Sequence, residues 1–394
     1  MEKAGHETDV NTLLSVWRQL LRVAAVFVLL PLLLSCGRTV SLPSLSESLL
    51  DLGDTLTLGL KPYPGAERIC VYAPGGDRYV NNVLLCRFKG SYYCMWQSSR
   101  RDEDSPDTHV MYSRSTDGCS WQEARLLAPA TGSSFVSPGG WIQRGDSLAA
   151  VLNFVDAEDR SRGGVARCIV THDGVSWSEV RSMLMADGTP VDGIFEQDPM
   201  LLPGGRTVGA VHFRPGLQLC PVWSDAPSAL CGWTKGTFPA GEGKPLEPSQ
   251  FRRPDGSLVL LMRDQASSFR KLASVSNDGG ESWTPPALTN IPDSRSKQCA
   301  GNLPDGTCFM VWNPAESKSR KALAIAFSGD GVVFDCAWLI AGPADLNPRH
   351  YDGKYKTLGY SYPKAFVDND VLWISLSENK ENVLLYRLPI SAPF

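Results

Sequence analysis

Glu247 and Arg263 stand sixteen residues apart, on either side of a Pro254-Asp255-Gly256-Ser257 turn. Each lies at the polar end of a short apolar run, so a hairpin folded at that turn returns both to one rim. A carboxylate beside an arginine stays ionised at neutral pH. Such a pair is either a structural ion pair or a working one, with the arginine gripping a substrate carboxylate and the glutamate taking a proton from a neighbour. Other reactive residue types occupy equivalent places. Starts of comparable runs carry Asn81 and Asn82, Ser137, Glu196 with Asp198, Gln298 to Asn302, and Tyr362. Ends of the returning runs carry Gln97, Asn153, His212, Asp264 beside Arg263, Asn313 and Glu378. A glutamate, an arginine, a histidine and a tyrosine gathered around one narrow channel read as a site.

The elements that must gather them are six hairpins. Their turns are centred at positions 90, 145, 205, 256, 306 and 369, a spacing of 50 to 63 residues. Strand-like runs with turns at such a period indicate a repeat architecture of small sheets. A second repeat runs in phase: Ser115-Thr116-Asp117-Gly118-Cys119-Ser120-Trp121, Thr171-His172-Asp173-Gly174-Val175-Ser176-Trp177, Ser276-Asn277-Asp278-Gly279-Gly280-Glu281-Ser282-Trp283 and Ser328-Gly329-Asp330-Gly331-Val332-Val333-Phe334. A further copy is missing near Asp225, where Ser224-Asp225 followed by Trp233 looks like its remnant. Asp binds nearby amides, Gly allows positive φ and the aromatic packs back, so these are turns rather than catalytic sites. The expected fold is all-β, a six-bladed β-propeller of four-stranded antiparallel blades. The run at 382–388 lacks a fourth strand after it, so residues 68–72 or 55–60 are expected to close the ring and remove the open edge.

The Asp turns resemble the Asp boxes of sialidases and related propellers. The likeness extends from about residue 70 to the C-terminus. Glu247-Pro248-Ser249-Gln250 with Leu261-Met262-Arg263-Asp264 is similar to the family segment that carries a catalytic Glu and an Arg of its carboxylate-binding triad. Asn313-Pro314 followed by Arg320 resembles the segment with another Arg of that triad, and Tyr360-Ser361-Tyr362-Pro363 the one with a nucleophilic Tyr. The resemblance implies a glycosidase with Tyr362 as nucleophile, Glu247 as its base and Arg263 and Arg320 on the sugar carboxylate. A neutral hydroxyl deprotonated on demand avoids the repulsion that an anionic nucleophile meets beside that carboxylate. The acid is expected from the loop at 99–109, with Asp107 first and Asp104 behind it. The segment Asp77-Arg78-Tyr79-Val80-Asn81-Asn82-Val83 departs from the family, because no Arg stands where the triad's first is expected. Arg78 is out of register but counts among the expected substrate-binding residues, as a side chain that can swing in to restore the third fork; otherwise Asn82, with Asn81 as alternate, is expected to fill the place and bond a hydroxyl or amide. Glu196, Asp198 and His212 complete the expected substrate-binding set.

Two other readings stay open. A propeller lyase would use Arg263 to neutralise a uronate while His212, His109 or Tyr362 moves the protons. A glycan-binding protein without activity would keep the fold alone. A formal charge of -4 and pI near 5.8 carry no nucleic-acid footprint. Arg18 and Arg22 precede an apolar stretch at 23–34, followed by Ser35-Cys36-Gly37. Leu33-Leu34-Ser35-Cys36 resembles a bacterial lipobox, with Cys36 as the lipidated residue. The expected organisation is a signal peptide over 1–36, a linker over 37–54 and one propeller over 55–394. The expectation is thus an exported lipoprotein, periplasmic or on the cell surface, held to the membrane by its N-terminal lipid only, monomeric, and acting on a glycan. The other ten cysteines form no CxxC pair, so zinc is not expected. Some pairing in an oxidising compartment stays open. No metal or cofactor is called for.

Overall fold

A strand sandwiched between two blades is covered on both faces, and its sequence loses the polar-apolar alternation. Leu148-Ala149-Ala150-Val151-Leu152 and Val259-Leu260-Leu261-Met262 are apolar without a break, and all nine residues are buried. The computed structural model describes residues 40–156 and 163–391. They form six antiparallel blades around one axis, with no α-helix among the described residues.

Blade 1 runs outward through Tyr79–Phe88, Ser91–Ser99, His109–Ser115 and Arg125–Ala128. Blade 2 follows with Ser134–Arg144, Ser147–Asp156, Val165–Thr171 and Arg181–Ser182. In blade 3 the innermost strand is broken into Gly193–Phe195 and Met200–Leu201, both paired with Thr207–Phe213, before Gln218–Ser224 and Thr234–Lys235. Blade 4 holds Pro245–Arg252, Leu258–Asp264, Arg270–Ser276 and Ala287–Pro292; blade 5 holds Cys299–Asn302, Cys308–Trp312, Leu323–Ser328 and Cys336–Ala341. Blade 6 starts with Tyr360–Asp368, Val371–Glu378 and Asn382–Pro389 and takes its outermost strand, Glu67–Tyr72, from the other end of the domain. That pairing closes the ring as expected and leaves no open edge there.

The six predicted turns join first to second strands in all six blades, and the four Asp turns join third to fourth strands. In the first of them Asp117 Oδ1 accepts the amides of Cys119 and Ser120 at 2.8 and 2.7 Å, and Trp121 Nε1 donates back to Gly118 O at 3.0 Å. Blade 3 has lost this device: Asp225 pairs with Arg206 at 2.8 Å, although Trp233 is still fully buried. The cores lie between blades. Leu84, Met95, Trp141 and Leu152 share one such layer, and each fully buried aliphatic there is worth about 1.5–3 kcal/mol.

The described part of the stretch expected as a linker is fastened to the ring. Ser44–Leu45 pairs in parallel with Val333–Phe334, and Leu45 exchanges both backbone bonds with the Asn290 side chain at 2.8 Å. Cys36 and the expected signal segment lie outside the described residues. The ten described cysteines are free thiols.

The Asp turns hold the blades together through contacts their glycines permit. Gly118 has φ 76°, and a Cβ there would lie 2.6 Å from Trp373 of blade 6, whereas Gly90, at φ 79°, faces open space. Gly118→Ala is expected to lose about 1–3 kcal/mol more than Gly90→Ala, because it adds overpacking to the same backbone strain. Denaturant midpoints of the two variants check this; equal losses would show that the turn does not seat on blade 6.

Candidate active site

The innermost strand of a blade turns its backbone edge to the axis and its side chains to the neighbouring blades. A side chain reaches the channel only where that regularity breaks, and it breaks alike in blades 1, 4 and 6. Bulges interrupt pairing between Asn81 and Leu84, Leu246 and Ser249, and Ser361 and Lys364. Within them Asn82, Glu247 and Tyr362 adopt φ of 51°, 52° and 59°. A bulge re-aims the side chain it carries, and a non-glycine residue in this region costs roughly 1–3 kcal/mol.

Glu247 and Tyr362 meet. The Tyr362 hydroxyl is close enough to the Glu247 carboxylate to help hold it ionised, and Arg263 Nη1 donates to Glu247 Oε2 at 2.8 Å. Burial opposes the Glu247 charge, but Arg263, Lys297 and the Tyr362 hydroxyl outweigh it and hold the carboxyl far below the usual range. Burial pushes the Tyr362 phenol well above its ordinary value; Glu247 and Glu103 add to this, and Arg263 and Arg320 pull against it. Arg320 stands 5.5 Å from the Tyr362 ring centre. Its Nη2 donates to Arg295 O at 3.0 Å and its Nη1 to Ser361 Oγ at 3.3 Å. Glu247, Arg263, Arg320 and Tyr362, from blades 4, 5 and 6, thus converge on one pocket.

Below Tyr362 the axis is filled with charge. Lys297 Nζ, fully buried, lies 4.5 Å under the Tyr362 ring centre. It ion-pairs with Glu196 and donates to Asn82 Oδ1 at 3.2 Å. Lys364 donates to Glu196 O, and burial together with Lys297 lowers it to about 7. Asp198 accepts the Trp141 amide at 2.7 Å, and burial raises it to about 6. His212 Nε2 accepts the Glu247 amide at 3.2 Å, which braces the backbone of that strained residue. Burial holds its imidazole below the ordinary value. Glu196, Asp198 and His212 therefore line the buried channel beneath the pocket, where they support the residues above.

Arg78, Asn82 and Asp107 are engaged in other contacts. Arg78, which lies just ahead of the first strand of blade 1, stacks on Tyr351, 4.9 Å from its ring centre. Asn82 does aim at the axis, but it is buried there, with Nδ2 donating to Pro138 O at 2.6 Å and Oδ1 accepting from Lys297, so it braces the channel below Tyr362. Asp107 caps its own loop: it accepts the Arg100 amide at 3.0 Å and the Ser105 hydroxyl. These bonds outweigh its partial burial and lower its pKa, which suits a permanent anion rather than an acid. Asp104, at φ 56°, is the loop carboxyl at the mouth. The residue is exposed, yet burial of its carboxyl, with the Glu103 charge, pushes it up to about 6, against Lys380 and Lys354.

Lys297, Lys380 and Glu103 were not singled out from sequence. Lys297 directly precedes the run that starts at Gln298, and Lys380 hides in a polar hairpin turn. Their loops are braced from below. Buried Lys271 donates to Asp293 Oδ1, Ser296 O and Gln298 Oε1 at 2.8–2.9 Å, pinning the loop that carries Arg295 and Lys297. Fully buried Lys356 and Glu381 pair at 2.9 Å beneath the turn that carries Lys380. Removing one partner of such a pair costs about 3–5 kcal/mol. Among the described residues no cluster of three or more His, Cys, Asp or Glu is placed to hold a metal.

Residues 90–374 match the BNR repeat-like domain family. No curated protein matches the chain in sequence. Among solved structures, a sialidase is similar with 19% identity and a TM-score of 0.65 over 89% of this chain; the chain spans 35% of that protein's length. The sialidase of Trypanosoma rangeli in complex with sialic acid shows 13% identity and a TM-score of 0.61, over 84% of this chain and 60% of its own. The intramolecular trans-sialidase of Ruminococcus gnavus, in complex with oseltamivir carboxylate, shows 14% identity and a TM-score of 0.61, over 85% of this chain and 99% of its own. Likeness at this identity speaks for the fold.

A carboxyl raised in the folded state gives stability that is complete below its unfolded value, near 3.9, and is lost as pH rises through about 6. Asp104→Asn copies the protonated form and tolerates positive φ. Its stability relative to wild type is expected to be unchanged below pH 4, to gain as pH rises from about 4 to about 6, and to level off above that. Unfolding midpoints measured from pH 4 to 8 test this; a gain independent of pH would place the raised carboxyl elsewhere.

Proposed function

This chain belongs to the BNR repeat-like domain family, and on that premise we propose that it is an exo-acting, retaining glycosidase that removes a terminal acidic sugar from glycans. One observation carries the reading: a tyrosine beside a carboxylate kept ionised by Arg263, with a second arginine next to the same ring. Solved structures of similar fold are named sialidases, one of them in complex with sialic acid.

In this mechanism the sugar carboxylate lies between Arg263 and Arg320, whose planar forks suit it. Two Arg263 protons are committed to Glu247 and Gln265, which fixes the guanidinium before substrate arrives. Glu247 takes the Tyr362 proton as the phenol oxygen bonds to the anomeric carbon, so the nucleophile is neutral until the moment of attack. Asp104, protonated at mildly acidic pH, gives its proton to the leaving oxygen. Water then cleaves the sugar-tyrosine bond, with Asp104 as base. The lyase reading has less to draw on. Both ring nitrogens of His109 are engaged, with Asp107 O at 2.9 Å and Asp77 at 3.0 Å, and His212 is sealed behind Glu247. We read the N-terminal segment as the export signal and lipid anchor of a monomeric surface or periplasmic enzyme, with Cys36 as the lipidated residue.

The test is turnover of aryl sialosides and uronides, alongside natural glycans, with products followed both as released sugar and by ultraviolet absorbance. Tyr362→Phe and Glu247→Gln are expected to lose about 10²–10⁴ in kcat. Asp104→Asn should fail on natural glycans but keep activity on activated aryl leaving groups, whereas Asp107→Asn stays within a few-fold of wild type. Wild-type kcat/KM on glycans should fall as pH rises above 6. An unsaturated, ultraviolet-absorbing product, or full activity in Tyr362→Phe, would overturn the proposal.

A further inference from the structure

Glu103 and Lys380 meet at the pocket mouth, and the chemistry above uses neither. Lys380 lies in the tight turn between the second and third strands of blade 6, where Asn379 and Lys380 have φ of 58° and 56°. The turn sits against the opening of blade 1, with the Val80 amide donating to Lys380 O at 2.9 Å. That is the stretch where the resemblance calls for an arginine that this chain lacks. The Lys380 ammonium stands 5.6 Å from the Tyr362 ring centre and 5.7 Å from that of Tyr79. Its side chain is 3% exposed, and its anionic partner is Glu103 Oε2 at 2.6 Å. Burial lowers its pKa, Glu103 raises it, Arg320 lowers it and Glu247 raises it, so Lys380 shares one field with the pocket's principal charges.

The two partners are held differently. Lys380 is locked in a hairpin braced from beneath by the buried Lys356–Glu381 pair. Glu103 belongs to the irregular loop between the second and third strands of blade 1, with 15% of its side chain open to solvent. A buried ammonium requires an anion beside it, and a carboxylate on a sugar has the charge and shape of the one on Glu103. We propose that Lys380 is a third cation for the substrate's carboxylate, and that Glu103 is a built-in competitor that holds Lys380 while the pocket is empty. The proposal rests on the glycosidase reading and sharpens its substrate class. The preferred sugar bears a carboxylate that reaches Lys380 as well as the two arginines. Neutral sugars and carboxylate esters cannot displace Glu103. A site occupied by its own competitor binds ligand more weakly by the fraction of time it is free.

Calorimetric titration of the full chain with N-acetylneuraminic acid, glucuronic acid and the methyl ester of each decides the matter. Wild type is expected to bind one of the acids and to discriminate against its ester. Glu103→Gln should tighten binding of that acid by roughly three- to tenfold and leave the ester unchanged. Lys380→Met should weaken the acid by about tenfold or more, again sparing the ester; should this variant not fold, Glu103→Gln decides alone. Acid binding that Glu103→Gln leaves unchanged or weakens, or an equal shift of acid and ester, would overturn the role given to Glu103 and Lys380 while leaving the glycosidase reading in place. A wild type that binds neither acid would overturn that reading and this inference with it.

Discussion

At the centre of a propeller the innermost strands present backbone edges to the axis, and every side chain that must face the channel has to be turned there against the regular pleat. Asn82, Glu247 and Tyr362 are turned by the same device, a bulge with a left-handed residue. None of the three is glycine, so each carries strain that the surroundings must offset. The offset is visible. The Glu247 amide is bound by His212, its carbonyl accepts from Gln298 at 3.0 Å, and the Asn82 side chain is bound on both sides. The positions of Tyr362 and Glu247 follow from this packing rather than from flexible loops, as a constellation that must be held to fractions of an ångström requires.

The second layer of support is electrostatic. Cations outnumber anions around Tyr362, and each buried one is assigned a partner before any ligand enters: Arg263 has Glu247, Lys297 has Glu196, Lys380 has Glu103. Deep in the ring, Lys271 with Asp293 and Lys356 with Glu381 hold the loops that bring these groups in. A buried pair is a weak source of stability but a strong source of register, since every wrong placement leaves a bare charge. The loops around the site are thus preorganised by two ion pairs that lie beneath it.

Much of the architecture was legible in the chain because its signals are local and repeated. The turn residues and the Asp boxes recur at a fixed phase, and closure by an N-terminal strand, at 68–72 or 55–60, follows from counting strands; the former is the one that pairs. The meeting of Glu247, Arg263, Arg320 and Tyr362 was legible too, because strand ends in a propeller have only one rim to go to. The loops were not. Asp104 and Asp107 are three residues apart in one acidic loop, and their difference lies in which carboxylate satisfies the loop's own amides and which is left at the mouth. Asn82 had the right place but not the freedom, since its partners, Pro138 O and Lys297, lie 56 and 215 residues away. Lys297 and Lys380 look like ordinary solvated turn residues until the ring folds them inward.

The strand Glu67–Tyr72 leads the ring in sequence and ends it in space. It pairs with a strand some 320 residues further on, and closing a loop of that length costs roughly 5 kcal/mol in chain entropy. As the chain emerges from the ribosome, blades 1 to 5 can stack in order, while this segment waits with its hydrogen-bonding edge bare until the last strand appears. The assembled ring therefore has one clasp, made of its two ends, and that clasp is the outer half of the blade whose inner strand bears Tyr362. A seam that joins last opens first, so slow breathing of the ring will be felt at the tyrosine before it reaches the opposite wall.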